Sequence, residues 1–147
     1  MTVPVLTPEE VQLYIQDKAE LSYLLPGEEF PVPQIHLAID LAIDSFNTGI
    51  APISSFTAVT FPSKSILLMG TLAKLLAGQA ALYARNQMDY SDGGISLPVE
   101  ERAPLYIQLA SMYETSFQQS AKTWKVNQNI LDGFGGLNSD YGSMPLW

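Results

Sequence analysis

The sequence predicts a mainly α fold: a four-helix bundle-like domain with a long central helix, a small loop or hairpin excursion and an extended C-terminal tail. Three observations predict it: a long Ala- and Leu-rich stretch at residues 65–84, amphipathic patterns on both sides of this stretch, and glycines spaced among large apolar residues near the C-terminus. We expect one helical domain over residues 1–131 and a Gly-rich aromatic tail over residues 132–147.

The first helix is predicted to begin within the sequence Thr7-Pro8-Glu9-Glu10. Thr7 can cap the helix, Pro8 suits its first position, and Glu10 completes a capping box. We expect the helix to end at Pro26-Gly27, because these residues terminate helices. Its predicted buried face consists of Val11, Tyr14, Ile15, Leu21 and Leu25.

The second helix is predicted over about residues 33–48, with Gly49 as the residue that follows its end. A loop at residues 50–62 should follow, and its β-branched and aromatic residues favour a short strand at 56–61. Loops of this length between helices are often functional or bound by a partner. The buried stripe predicted for the helix consists of Ile35, Ala38, Ile39, Ala42, Ile43 and Phe46.

The central helix is predicted over about residues 62–88, because Ala, Leu, Met, Lys and Gln dominate its composition. Apolar residues occur on almost every side, which is typical of a helix surrounded by other helices. Small residues such as Gly70 and Ala73 should let a neighbouring helix approach closely. The run also approaches the length of about 20 residues that spans a membrane. Lys74 near its middle favours the buried helix over this alternative.

The C-terminal third is predicted to contain a turn, a last helix and the tail. Asp92-Gly93-Gly94 is a turn signal, which indicates a two-stranded turn or an extended reversal over residues 91–98. The last helix should begin near Pro104 and end around Leu131. Its predicted main face is Leu105, Leu109, Met112, Tyr113, Ser116 and Ser120, with Tyr106, Phe117 and Trp124 at the edge and Glu114, Gln118, Lys122 and Lys125 pointing away.

Composition restricts the function classes. The formal net charge is −8 with only 7 Lys and Arg residues, which argues against direct binding of nucleic acid. The absence of cysteine excludes disulfides, thiolate catalysis and cysteine metal sites. Charged residues make up 15%, below the roughly 25% of typical soluble domains. Such a surface indicates contact with other protein, or an ordinary surface rich in uncharged polar residues. The N-terminus lacks a signal-peptide pattern, so we expect folding in a cytoplasm.

The search for a reactive site yields one weak pattern. His36, Asp40 and Asp44 repeat at every fourth position of the second helix, which could form a metal stripe or a simple polar face. We favour the polar face, because no Glu-x-x-His motif offers ligands from another helix. No Gly-x-Ser-x-Gly elbow is present, and His36 is the only histidine. We therefore expect no enzyme, no catalytic residue, no cofactor and no bound metal.

The order of parts, together with one compact motif, resembles a known family. The parts are the helix opening at Thr7, the second helix with Ala42-Ile43-Asp44-Ser45-Phe46-Asn47, the long Ala- and Leu-rich helix, the last helix and the tail. The compact motif runs from Asn86-Gln87 to Asp92-Gly93-Gly94. In these features the chain resembles the head-to-tail connector (adaptor or neck) proteins of tailed bacteriophages.

The resemblance implies a virion structural protein in the neck region, which assembles from the host cytoplasm as a homo-oligomeric ring on a portal. Its partners would be further copies of itself, the portal protein, and stopper or tail proteins; DNA would only pass through, and no membrane is involved. The alternative is a monomeric or dimeric helical protein-binding module, adaptor or chaperone-like, without catalytic activity. The predicted interface residues are Phe56, Phe61, Tyr90, Asp92, Gly93, Gly94, Phe134, Leu137, Tyr141, Met144 and Trp147.

Overall fold

The computed structural model confirms a mainly helical fold of packed helices. It describes residues 3–18, 20, 27–49, 53–86, 90–92, 95–97 and 102–135. The elements in chain order are α1 (Pro8–Ile15), α2 (Val32–Thr48), α3 (Lys64–Asn86), β1 (Tyr90–Asp92), β2 (Ile95–Leu97) and α4 (Arg102–Gly135).

Helix α1 begins as predicted and ends earlier than predicted. The main-chain N–H of Thr7 donates to Glu10 Oε2 at 3.0 Å, and the N–H of Glu10 donates to Thr7 Oγ1 at 3.4 Å, which completes the capping box. The helix ends at Ile15 because Gln16 adopts a left-handed conformation with φ of 56°. The predicted end at Pro26-Gly27 is therefore wrong. Of the predicted buried face, Val11 is buried, Ile15 is half-buried and Tyr14 is exposed, while Leu21 and Leu25 lie outside the described residues.

Helix α2 matches its prediction closely. All six residues of its predicted apolar stripe are buried. The main-chain N–H of Gly49 donates to the carbonyl of Ser45 at 3.1 Å and so closes the last turn. Gly49 does this in an extended conformation, with φ of −69° and ψ of 175°, rather than in the left-handed one that favours glycine.

Helix α3 lies at the centre of the bundle and packs against both α2 and α4. Both neighbouring helices approach α3 closely at Gly70, which is buried. A Cβ atom at this position would lie 2.8 Å from the Phe117 ring and 3.0 Å from the Cβ of Ala42. The predicted close approach of a neighbour to the small residues of this helix is thus confirmed at Gly70. At Gly78, apart from its chain neighbours and the backbone of its own helix, no atom of the described residues lies within 4 Å of the corresponding position.

Helix α4 is the longest helix of the described chain, with 34 residues. It begins at Arg102, which places Pro104 in its first turn, where a missing N–H costs nothing. It continues to Gly135, so residues 132–135 are helical and not part of an extended tail as predicted. The remainder of the predicted tail, residues 136–147, is outside the part of the chain that the structure describes.

The two segments with predicted strands differ in outcome. Strands β1 and β2 pair antiparallel, with Tyr90 opposite Leu97, which confirms the two-stranded reversal. The strand predicted at 56–61 is wrong: these residues form a loop with a turn at 58–60. The reason is that side chains, and not a neighbouring strand, form hydrogen bonds with main-chain groups of this segment. The Asn47 amide exchanges two hydrogen bonds, both of 2.9 Å, with the main chain of Phe56.

Candidate interaction surface

Two of the predicted interface residues belong to an internal aromatic cluster. The ring centroid of Phe46 lies 4.7 Å from that of Phe61, 5.7 Å from that of Phe56 and 5.8 Å from that of Trp124. Phe61 is buried and Phe56 is half-buried against the core. Both rings therefore stabilise the chain's own core, and a further contact of either ring with a partner stays a prediction.

The other predicted interface residues stay predictions. Tyr90 and Asp92 belong to β1, and Phe134 belongs to the last turn of α4, but the structure does not describe their side chains. The residues of this set that fall wholly outside the described chain are Gly93, Gly94, Leu137, Tyr141, Met144 and Trp147.

The face of α4 that packs on the bundle differs from the predicted one. Leu105, Leu109 and Met112 were expected to be buried, but they are 62%, 42% and 54% exposed. Smaller residues and one aromatic ring face the core instead, because α3 offers Gly70 and a close approach rather than room for leucines. The buried residues of α4 are Ala103, Ala110, Phe117, Ala121 and Lys125.

We define the α4 outer surface as Leu105, Leu109, Met112, Val126 and Ile130, all of them exposed. At 100° per residue, these side chains fall within an arc of about 100° on the side opposite the core. Charge is nearly absent from this part of the helix, since its charged residues between Ala103 and Leu131 are Glu114, Lys122 and Lys125. Only Lys122 is exposed. Glu114 pairs with Lys74 of α3 at 3.2 Å, and Lys125 is buried.

The outer side of α2 carries a smaller surface that combines apolar and acidic residues. Leu37 and Leu41 are 60% and 45% exposed, and Asp40 and Asp44 are exposed beside them. We call these four residues the α2 outer surface. The predicted polar stripe of His36, Asp40 and Asp44 lies on this side of the helix. No group of three or more His, Asp or Glu side chains that could hold a metal occurs within the described ranges.

Lys125 is buried, although the sequence predicted that it points away from the core. Its ammonium donates hydrogen bonds to the main-chain carbonyls of Phe46 and Gly49, the second at 3.3 Å. The ammonium also lies 4.6 Å from the centroid of the Phe46 ring. Burial lowers the pKa of Lys125 from its ordinary value. The side chain thus joins α4 to the end of α2.

A second polar cluster, which the sequence analysis did not find, is centred on Glu29. Its Oε1 atom accepts hydrogen bonds from Tyr106 at 2.7 Å, Tyr83 at 2.9 Å and Gln79 at 3.2 Å. Burial, followed by the bond to Glu29, raises the pKa of the Tyr106 hydroxyl. The carboxylate of Asp17 holds the same loop by accepting from the N–H groups of Glu29 and Phe30. These contacts join segments that are far apart in sequence.

Helix α3 is long and apolar enough to cross a membrane, and it is the one such helix among the described residues. Its most apolar window is 56% buried inside the bundle. Its polar residues are paired there: Lys74 with Glu114, and Gln79 with Glu29. The burial of the helix between α2 and α4 accounts for its apolar composition.

No protein-family model, no curated protein and no solved structure matches this chain. The resemblance seen in the sequence therefore stays a prediction. The two outer surfaces are the features of the described residues from which a function can be argued.

Proposed function

We propose that this chain is a virion structural protein, a head-to-tail connector (adaptor or neck) subunit that forms a ring between the portal and the tail of a tailed bacteriophage. The observation that carries the proposal is the α4 outer surface, two groups of exposed apolar residues, at 105–112 and 126–130, on one uncharged side of the helix. The proposed partners are further copies of the chain, the portal protein, and stopper or tail proteins.

The α4 outer surface differs from ordinary surface hydrophobics by its alignment. Single exposed leucines are normal on a soluble protein, but an aligned set marks an interaction site. Complete burial of one such side chain stabilises by roughly 1.5–3 kcal/mol. The five side chains are between 42% and 62% exposed in the single chain, so a partner that covers them adds roughly half of that value for each one, which works against the cost of ordering two partners.

The length of α4 supports a role in assembly. Among the residues of α4 whose burial the structure describes, up to Gly133, the last buried one is Lys125. At about 1.5 Å per residue, the eight residues from Val126 to Gly133 extend the helix by about 12 Å beyond Lys125. Val126 and Ile130 lie on this projecting part, where a neighbouring subunit can reach them.

The net charge of −8 fits the proposed position on a DNA passage. A negative wall repels the phosphate backbone, so DNA can pass without being held. Such a protein acts by binding its neighbours and needs no catalytic group.

The mass in solution is the test. Light scattering over a range of concentrations, followed by negative-stain imaging of the same sample, should reveal closed rings with a central hole. A chain that stays monomeric, or stops at a two-fold symmetric dimer over the whole range, would favour the helical binding module instead.

A further inference from the structure

The two outer surfaces lie on different helices and have complementary properties. Helix α2 contains Asp40 and Asp44 and no Lys or Arg. Residues 115–131 of α4 contain Lys122 and Lys125 and no Asp or Glu. In a chain with a net charge of −8, most surfaces of two copies repel each other. The exposed Lys122, beside an uncharged apolar stripe, is therefore a suitable partner for an acidic surface.

We infer that the α2 outer surface of one copy binds the C-terminal half of the α4 outer surface of the next copy, in a head-to-tail contact. This inference rests on the proposed function and deepens it, since it specifies which surfaces form the ring. The occupant is a second copy because the same chain carries both complementary halves.

The spacing of the apolar residues suits this contact. Leu37 and Leu41 are four residues apart on α2, and Val126 and Ile130 are four residues apart on α4. Rows of side chains with this spacing form ridges that pack into each other's grooves. All four side chains are between 43% and 60% exposed in the single chain, so each has area to lose to a partner.

The charges flank the apolar residues on both sides of the proposed contact. Lys122 precedes Val126 by four residues, which places it one helical turn away on the same side of α4. Asp40 and Asp44 lie beside the leucines of α2. Packing of the two ridges therefore brings a lysine toward two carboxylates, which favours the intended register and disfavours the pairing of two α2 surfaces.

The use of two different surfaces has a consequence for assembly. A contact between unlike surfaces leaves one of each kind free on every growing complex. Such a contact forms a ring where the rotation between copies closes and an open filament where it does not, whereas a contact between identical surfaces stops at a dimer.

Disulfide trapping tests the contact directly, because the chain has no cysteine of its own. Two full-length variants, Leu41→Cys and Ile130→Cys, are mixed under mild oxidation. We expect a covalent dimer from the mixture and at least tenfold less from either variant alone. A mixture of Leu13→Cys with Ile130→Cys is the control, because Leu13 is 62% exposed on α1. Equal yields from both mixtures, or efficient linking of Ile130→Cys to itself, would overturn the inference.

Charge reversal adds a test that does not depend on cysteine. Lys122→Glu, and separately Asp40→Lys with Asp44→Lys, should each weaken self-association about tenfold. An equimolar mixture of the two variants should recover association, because one reversed surface then faces the other. If both variants form wild-type rings, the inference fails and the proposed function stands. If the wild type forms no ring, the proposed function fails, while the disulfide yield still reports on the contact.

Discussion

The ammonium of Lys125 donates a hydrogen bond to the main-chain carbonyl of Phe46, which lies 79 residues earlier in the chain. Phe46 belongs to the last turn of α2, where carbonyl groups have no partner within the helix. A cation at this end also interacts favourably with the helix dipole. Lys125 therefore caps α2 from α4, which explains why a lysine is buried there without a carboxylate within 4 Å among the described residues.

Replacement of Lys125 by methionine should destabilise the chain. Lys125→Met keeps much of the volume but leaves the carbonyls of Phe46 and Gly49 buried with one fewer donor. We expect the free energy of unfolding to fall by about 1–3 kcal/mol, the usual cost of a buried polar group without its partner. Chemical denaturation followed by circular dichroism measures this change.

Lys18 provides the control. Lys18→Met removes the same charge from an exposed position outside both outer surfaces and should change the free energy of unfolding by less than about 0.5 kcal/mol. If Lys125→Met were as stable as the control, the cost of burying the ammonium would equal or exceed the gain from its hydrogen bonds.

The lowered pKa of Lys125 predicts a pH dependence of stability. Burial favours the neutral amine in the folded state, so the folded chain releases this proton at lower pH than the unfolded chain. Stability associated with Lys125 is therefore present above the unfolded pKa of about 10.4 and lost as the pH falls through the folded value. Wild type should gain stability relative to Lys125→Met as the pH is raised toward 10. A constant difference over this interval would show that burial does not shift the pKa.

Ionisation of Tyr106 should lower the stability of the folded chain at still higher pH, whereas deprotonation of Lys125 raises it. The raised pKa of Tyr106 means that its stabilising bond to Glu29 is present below the unfolded pKa of about 10 and is lost as the pH rises through the folded value. Comparison of wild type with Tyr106→Phe above pH 10 isolates this loss, since the variant has no hydroxyl to ionise there. Equal alkaline losses in both proteins would contradict this assignment.

Glu29→Gln should destabilise the chain by about 1.5–3 kcal/mol, because three donors converge on one oxygen of its carboxylate. Its neighbour Glu28 is exposed and makes one side-chain bond, to Gln12 at 3.1 Å. Glu28→Gln is therefore the matched control, with an expected change below about 0.5 kcal/mol. Equal effects of the two substitutions in thermal or chemical unfolding would show that the cluster does not join the loop to α3 and α4.

The sequence was sufficient to predict the elements whose signals are local. The capping box at Thr7 and the six-residue stripe of α2 depend on residues within one or two turns, and both are confirmed. The end of α1 was missed because the left-handed conformation of Gln16 carries no sequence signal comparable to glycine.

The orientation of α4 could not be predicted from its own pattern. Large apolar residues occur on more than one side of the helix, and the choice between them depends on what α3 presents. Gly70 and Phe117 fit each other, which turns Leu105 and Leu109 outward. Likewise, the pattern of α4 predicts a solvent-exposed Lys125, because only the folded chain brings the end of α2 beside it. Contacts between distant segments decide these features, and the pattern of one segment does not encode them.

Replacement of Gly70 by alanine should destabilise the chain, whereas the same replacement at Gly78 should stabilise it and so serves as the control. In Gly70→Ala the new methyl group would lie under 3 Å from the Phe117 ring, so α4 or α2 must move outward. We expect a loss of about 1–3 kcal/mol in the free energy of unfolding, as for other overpacked cores. Gly78→Ala lies on the same helix and meets no atom within 4 Å. There the higher helix propensity of alanine should stabilise by about 0.5–1 kcal/mol. If both substitutions stabilised the chain, α2 and α4 would not be held at Gly70 as tightly as the structure requires.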